Sequence, residues 1–212
     1  MANCTQINGM QMECQPNSGG IKNIFIANRS EINSMEVSDG NVTAVGMFAS
    51  ALFVPFEYRK GAASFTSTLT VDDATGVNFF SNELTINFAR MDAVKRMELV
   101  ALSKAELVVI FRDNNDVYHF MGMESPVYVS SAQGATGTAK TDANTYQIVL
   151  TDESSTFPPS VDSSIIKSIV KGGAPRTVDP ATVNETGDEP ETGNEPETGG
   201  EPETGDEGHL GL

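Results

Sequence analysis

Two histidines and two cysteines are the whole stock of imidazole and thiol in this 212-residue chain, so nucleophilic, general-base or zinc chemistry would have to be built around them. A hydrolytic triad needs a nucleophile, an imidazole and an orienting acid converging on one point. His209 falls in a low-complexity stretch, and His119 sits between Tyr118 and Phe120 in a β pattern, where a lone histidine packs or faces solvent. No Ser/His/acid or Cys/His set emerges. Cys4 and Cys14 have no further Cys or His pair to complete a tetrahedral site, which argues against zinc. They are read as free thiols, with a small disulfide loop as the alternative in an oxidising setting.

Two further segments invite a ligand and then fail on context. Gly134-Ala135-Thr136-Gly137-Thr138-Ala139-Lys140-Thr141 has the glycine, lysine and threonine of a phosphate-binding loop, but Ala139 replaces its second glycine. Such a loop must also open a helix, so that amides and helix dipole converge on phosphate. Here Asp142-Ala143-Asn144-Thr145 is turn-like and runs into a β pattern, so a loop is expected. Asp113-Asn114-Asn115-Asp116 hints at calcium, yet Tyr118 stands where the calcium loop needs its sixth-position glycine, although Glu124 stands at the twelfth. A hairpin tip is expected instead. Carboxylates are plentiful, but none can be paired for glycosidase work. The expectation is no catalytic residue, no metal and no cofactor.

Charge narrows the function further. The chain carries 13 Lys+Arg against 29 Asp+Glu, a net of -16, whereas a protein that grips DNA by neutralising phosphates needs a basic surplus. The longest apolar run, Ala44–Phe56, is broken by Ser50 and Pro55, so no membrane-spanning helix is expected. Met1–Gln6 shows neither the basic start nor the apolar stretch of a secretory signal, which suggests a soluble chain made in the cytoplasm. The charge is also uneven. Eleven of the 29 acids lie between Asp179 and Leu212, where there is no Lys or Arg, leaving 18 acids against 13 bases and a net of -5 in residues 1–178.

Those terminal acids belong to a hexapeptide array, Glu185-Thr186-Gly187-Asp188-Glu189-Pro190 and its three successors. Like charges repel, Gly and Pro interrupt regular structure and nothing apolar is available to bury, so residues 172–212 are expected to be a disordered acidic tail. Residues 1–18 read as an N-terminal arm. Residues 19–171 are of a size to fold around a core of their own.

Within 19–171 the dominant period is two. Strands are expected at Ile21–Ala27, Asn41–Met47, Leu52–Lys60, Ser64–Val71 and Val77–Ala89, with Pro55 marking a bulge or an edge. Further strands are expected at Leu107–Arg112, Val117–Met121, Val127–Ser130 and Tyr146–Thr151, the last two around a loop over 131–144. Asp92 can cap a helix on which Ala93, Met97, Val100, Ala101 and Lys104 recur at helical spacing, and a short second helix fits Ser164–Val170. The fold class is mainly β: a sandwich or barrel with a long hairpin and one main α-helix.

That hairpin, 61–89, is joined by Asp72-Asp73-Ala74-Thr75-Gly76 and contains no Lys or Arg. Phe65, Leu69, Leu84, Ile86 and Phe88 are expected to pack on the domain. Ser64, Thr66, Thr68, Thr70, Glu83, Thr85 and Asn87 form the opposite face, small, polar and weakly acidic. Basic side chains would hold phosphates and stall DNA, whereas such a face would let a duplex slide past. An ordinary solvent-facing sheet has a similar composition.

Several short motifs recur in order along the domain. They are Gly19-Gly20-Ile21-Lys22 before Ile24-Phe25-Ile26-Ala27-Asn28, Phe79-Phe80 with Glu83-Leu84-Thr85-Ile86, and Arg90-Met91-Asp92 opening the helix. Val108-Val109-Ile110-Phe111-Arg112-Asp113-Asn114-Asn115 with Met121-Gly122 follows, then Thr136-Gly137-Thr138-Ala139 and Asp142 before Tyr146. In these the domain resembles phage tail-tube-type virion proteins, and is similar to those of crAss-like and related Bacteroidales phages. The resemblance implies a β-sandwich subunit whose long hairpin joins those of its neighbours in a ring, commonly hexameric, with stacked rings forming the channel for DNA ejection. It implies other tail, neck or portal proteins as partners, no membrane, passage of DNA without sequence-specific binding, and residence in a virion assembled in the host cytoplasm. The acidic tail is not part of that pattern. A non-catalytic carbohydrate-binding or adhesive sandwich is the rival expectation, weakened by the absence of Trp and the presence of only four Tyr for stacking on sugars.

Overall fold

In the computed structural model, residues 17–172 are described. Most of the expected arm (1–18) with Cys4 and Cys14, and the expected acidic tail beyond Gly172 with His209, lie outside the described residues.

The chain runs β1 (Ile21–Asn28), a 3-10 turn (Arg29–Glu31), β2 (Ile32–Ser38), β3 (Asn41–Met47), β4 (Val54–Phe56), β5 (Ala63–Asp72), β6 (Val77–Ala89) and α1 (Ala93–Leu102). Then come β7 (Leu107–Asp113), β8 (Tyr118–Met121), β9 (Tyr128–Ala135), β10 (Thr145–Ser154), β11 (Ser160–Val161) and α2 (Ser163–Ile169). The fold is mainly β. The strands form a seven-stranded sheet, β2-β3-β11-β8-β7-β1-β4, and a four-stranded sheet, β5-β6-β10-β9.

Burial explains which sequence pattern each strand shows. β1 and β7 sit inside the larger sheet and are apolar on both faces. Ile24, Ile26, Leu107, Val109 and Phe111 enter a core shared with Leu84, Ile86, Phe88, Ile148 and Leu150 of the smaller sheet. Phe25, Ala27, Val108 and Ile110 enter a second core on the far face, closed by Phe53, Ile166 and Ile169. Burial on both sides removes the alternation, so these strands read as continuous apolar runs. β5 and β6 bury one face only and alternate.

Local chemistry closes the elements. The Asp92 carboxylate accepts from the Lys95 amide at 2.8 Å and caps α1, and Asp162 caps α2 through the Ser164 amide at 2.9 Å. Asp113 accepts from the amides of Asn115 and Val117, each at 2.9 Å, and so shapes the β7–β8 turn. Gly122 follows β8 at φ +90°, where a Cβ would lie 3.1 Å from the Leu107 carbonyl, so no side chain fits there without displacement.

Four expectations need correction. The strand expected over 52–60 shrinks to Val54–Phe56, and Phe53 pairs instead with Val170. β4 is an edge strand, as Pro55 suggested. β2, largely exposed and weakly patterned, was not expected; backbone pairing to β3 holds it. β9 continues to Ala135, shortening the expected loop, because its small polar residues pair with β10. Met97 and Val100, from the helical stripe, are exposed, and α1 instead buries Leu99 and Leu102.

Candidate functional site

The outer face of the four-stranded sheet brings the hairpin's polar residues together with others from β9 and β10. Register places Ser64 opposite Thr85, Thr85 opposite Val149 and Val149 opposite Ser131. The next rows join Thr66 to Glu83 and Thr151, and Thr68 to Ser81 and Glu153. Asn87 pairs with Gln147, which pairs with Gln133. All seven expected face residues, Ser64, Thr66, Thr68, Thr70, Glu83, Thr85 and Asn87, therefore share one surface, because partners directly opposite in a sheet point the same way.

Sequence reasoning missed Ser81, Gln133, Gln147 and Thr151 on this face. The alternation of Tyr146, Ile148 and Leu150 against Gln147 and Thr151 carried the signal. The base-free property also widens: none of β5, β6, β9 or β10 contains Lys or Arg, whereas the larger sheet carries Lys22 and Arg112. The sheet's two edge strands, β5 and β9, have no strand partner on their outer sides among the described residues.

Beneath this face the packing set divides. Leu84, Ile86 and Phe88 are buried, and Phe65 packs at a tilt against Phe111 with ring centroids 4.6 Å apart. Leu69, expected to pack, is 48% exposed: it lies on the edge strand β5 opposite Phe80, the last residue of β6 that β10 covers, and beyond it the hairpin continues alone. At the tip, hydrogen bonds from the Thr75 side chain and the Ala74 and Thr75 amides hold the Asp72 carboxyl below the usual carboxylate range. The tip therefore stays anionic.

A polar row crosses the inner face where the hairpin leaves the body. Ser67, Asn82 and Asp152 lie directly opposite one another on β5, β6 and β10. Asn82 Nδ2 donates to Ser154 Oγ at 3.0 Å, and the Gly122 amide donates to Asp152 Oδ2 at 3.0 Å. Ser67 Oγ, Asn82 Oδ1 and Asp152 Oδ1 are buried without a partner. Burial pushes the Asp152 carboxyl above its ordinary pKa, against the opposing pull of the Gly122 amide and the Asn82 side chain.

The rejected chemistries meet concrete obstacles. Asp142 Oδ2 accepts from the Thr138 and Ala139 amides at 2.7 and 2.8 Å, so amides that a phosphate would need are already taken. Asp113 is spent on its turn, and Asp116 pairs with Lys22 and, at 3.0 Å, with Arg112. Ser64, Asp113 and His119 do line one open cleft, and His119 Nε2 lies 3.4 Å from Asp113 Oδ2. Ser64 makes no hydrogen bond to the imidazole, whose ring stacks on Phe111 at 5.0 Å. That is packing geometry. Among the described residues no group of three His, Cys, Asp or Glu could hold a metal ion, and no helix is long and apolar enough to cross a membrane.

No protein-family model matches the chain, and no curated protein matches it. Among solved structures, a hybrid solid-state NMR and cryo-EM structure of the SPP1 tail tube is similar at 16% identity, covering 77% of this chain and 93% of that one. Its TM-score of 0.31 is too low to establish a common fold.

Proposed function

We propose that this chain is a non-catalytic virion structural protein whose copies join side by side into a ring, with the outer face of the four-stranded sheet lining a channel for DNA. The carrying observation is the absence of Lys and Arg from all four strands of that sheet. A wall without bases gives phosphates nothing to release counterions against, so DNA passes without being held. The open β5 and β9 edges supply the means of assembly: backbone amides and carbonyls on an edge are a template for another strand, and a repeated edge-to-edge pairing closes into a ring. The sequence motifs resembling tail-tube proteins favour the same reading, with other tail or neck proteins as partners.

Electron microscopy of the purified chain at high concentration tests the proposal. Ring-shaped or tubular particles are expected; a chain that stays monomeric by light scattering overturns it. Charging Leu84 or Ile86 is a poor probe, since both are buried and the variant would fail to fold. Replacing Ser67 by Pro is better. The Asn87 amide bonds the Ala62 carbonyl, so by antiparallel alternation the amides of Ala63, Phe65 and Ser67 point away from β6, and the change removes an edge donor without breaking the ladder. It is expected to abolish assembly while the monomer stays folded.

A further inference from the structure

One chain exposes two apolar surfaces of opposite local charge. On α1, Met97 is 71% exposed and Val100 50%, with Ala93 and Ala101 beside them on the same outward face. Arg96 and Lys104 flank that face, and residues 90–104 carry four bases against the two acids Asp92 and Glu98. On the projecting hairpin, Leu69 is 48% and Val71 55% exposed on one side of the ribbon, next to Asp72 and Asp73 at the turn. The hairpin has no base at all.

We propose that the hairpin tip of one copy docks on the α1 face of another, Leu69 and Val71 against Met97 and Val100, with Asp73 facing Arg96. A chain cannot make this contact with itself. Leu69 and Val71 stand opposite Phe80 and Asn78, nine and eleven residues before the end of β6. That is about 30–36 Å along the strand at its rise of ~3.3 Å per residue, and α1 begins beyond that end. The contact is therefore between copies and head-to-tail, the kind that propagates an assembly. It rests on the self-assembly proposed above and names a contact surface for it. The acidic repeat segment matches the charge of α1 but offers its face almost nothing apolar, so a second copy is the occupant that satisfies both surfaces.

Full-length chain with Cys4→Ser and Cys14→Ser is made in two forms, Val71→Cys and Met97→Cys, and the forms are mixed under mild oxidation. A disulfide-linked dimer is expected from the mixture and not from either form alone. In parallel, Asp73→Lys or Arg96→Glu alone is expected to weaken self-association by about tenfold or more, as loss of a desolvated charge pair does, and mixing the two restores it. Rings without the cross-link overturn this contact and leave the ring reading standing. Cross-linked filaments that never close uphold the contact and sink the ring. A wholly monomeric chain removes both. Dilute monomer in which Met97→Cys resists a thiol reagent assigns the face to a segment of the same chain and overturns the proposal.

Discussion

Replacing Asp152 by Asn should make the domain more stable at neutral pH and remove one component of its pH dependence. Asp152 is 5% exposed, its Oδ2 takes one amide hydrogen bond, and its Oδ1 faces the interior unpartnered, as does the Oδ1 of Asn82 opposite. Desolvation raises its pKa above the 3.8 of a free aspartate, so the folded chain holds this proton more tightly than the unfolded chain does. A raised carboxyl pKa costs stability above the folded-state value, and that cost fades as pH falls through the folded pKa toward the unfolded one. An amide keeps the acceptor for Gly122, carries no charge, and puts a donor where the orphan oxygen lay. Removing an unpartnered buried polar atom is worth about 1–3 kcal/mol. In a domain of this size each kcal/mol moves Tm by about 2–4 °C. Thermal unfolding followed by circular dichroism from pH 4 to 8 reads the effect. The other perturbed aspartates, among them Asp72, Asp92 and Asp142, have lowered pKa values and stabilise the fold at neutral pH, but they are common to both proteins and cancel in the difference. The gap should be widest at pH 7–8 and close toward pH 4. A less stable variant at pH 7, or a gap that ignores pH, refutes the reasoning.

Three other outcomes follow from the packing and the proposed wall. Leu84→Ala should cost about 2–5 kcal/mol by denaturant titration, while Leu69→Ala, on the projecting ribbon, should cost the monomer under about 1 kcal/mol. Asp92→Ala should cost about 1 kcal/mol through loss of the α1 cap, read in the same titration. Thr66→Lys combined with Gln133→Lys puts bases on the outer sheet face; the folded monomer should be unchanged, but assembled particles should retain DNA. That retention should weaken with salt at a log–log slope of about −0.9 per phosphate contacted, and particles that still release DNA freely would count against a DNA-facing wall.

Much of the fold was legible because its cues are short-ranged. The bounds of β3 and β6 follow from alternation and from the turns beside them, and Asp92, Asp113 and Asp162 cap or turn the chain within a few residues of where they stand. The polar face of β5 and β6 was visible for the same reason. β2 was not, since an exposed edge strand is held by the backbone of β3 and needs no pattern of its own. The face of α1 was misleading: its sequence carries two apolar stripes, and a helical period cannot say which of them the body covers.

From the sequence alone came the β class and the long hairpin without bases. Only tertiary structure extended that base-free surface to β9 and β10, left β5 and β9 as open edges, set the Ser67–Asn82–Asp152 row at the hairpin's root, and turned Met97 and Val100 outward. The physical reason is range. Alternation, caps and turns are settled between near neighbours, whereas an edge, an orphaned polar atom or an uncovered face depends on which distant segments arrive, as Val170 arrives beside Phe53 and Gly122 beside Asp152.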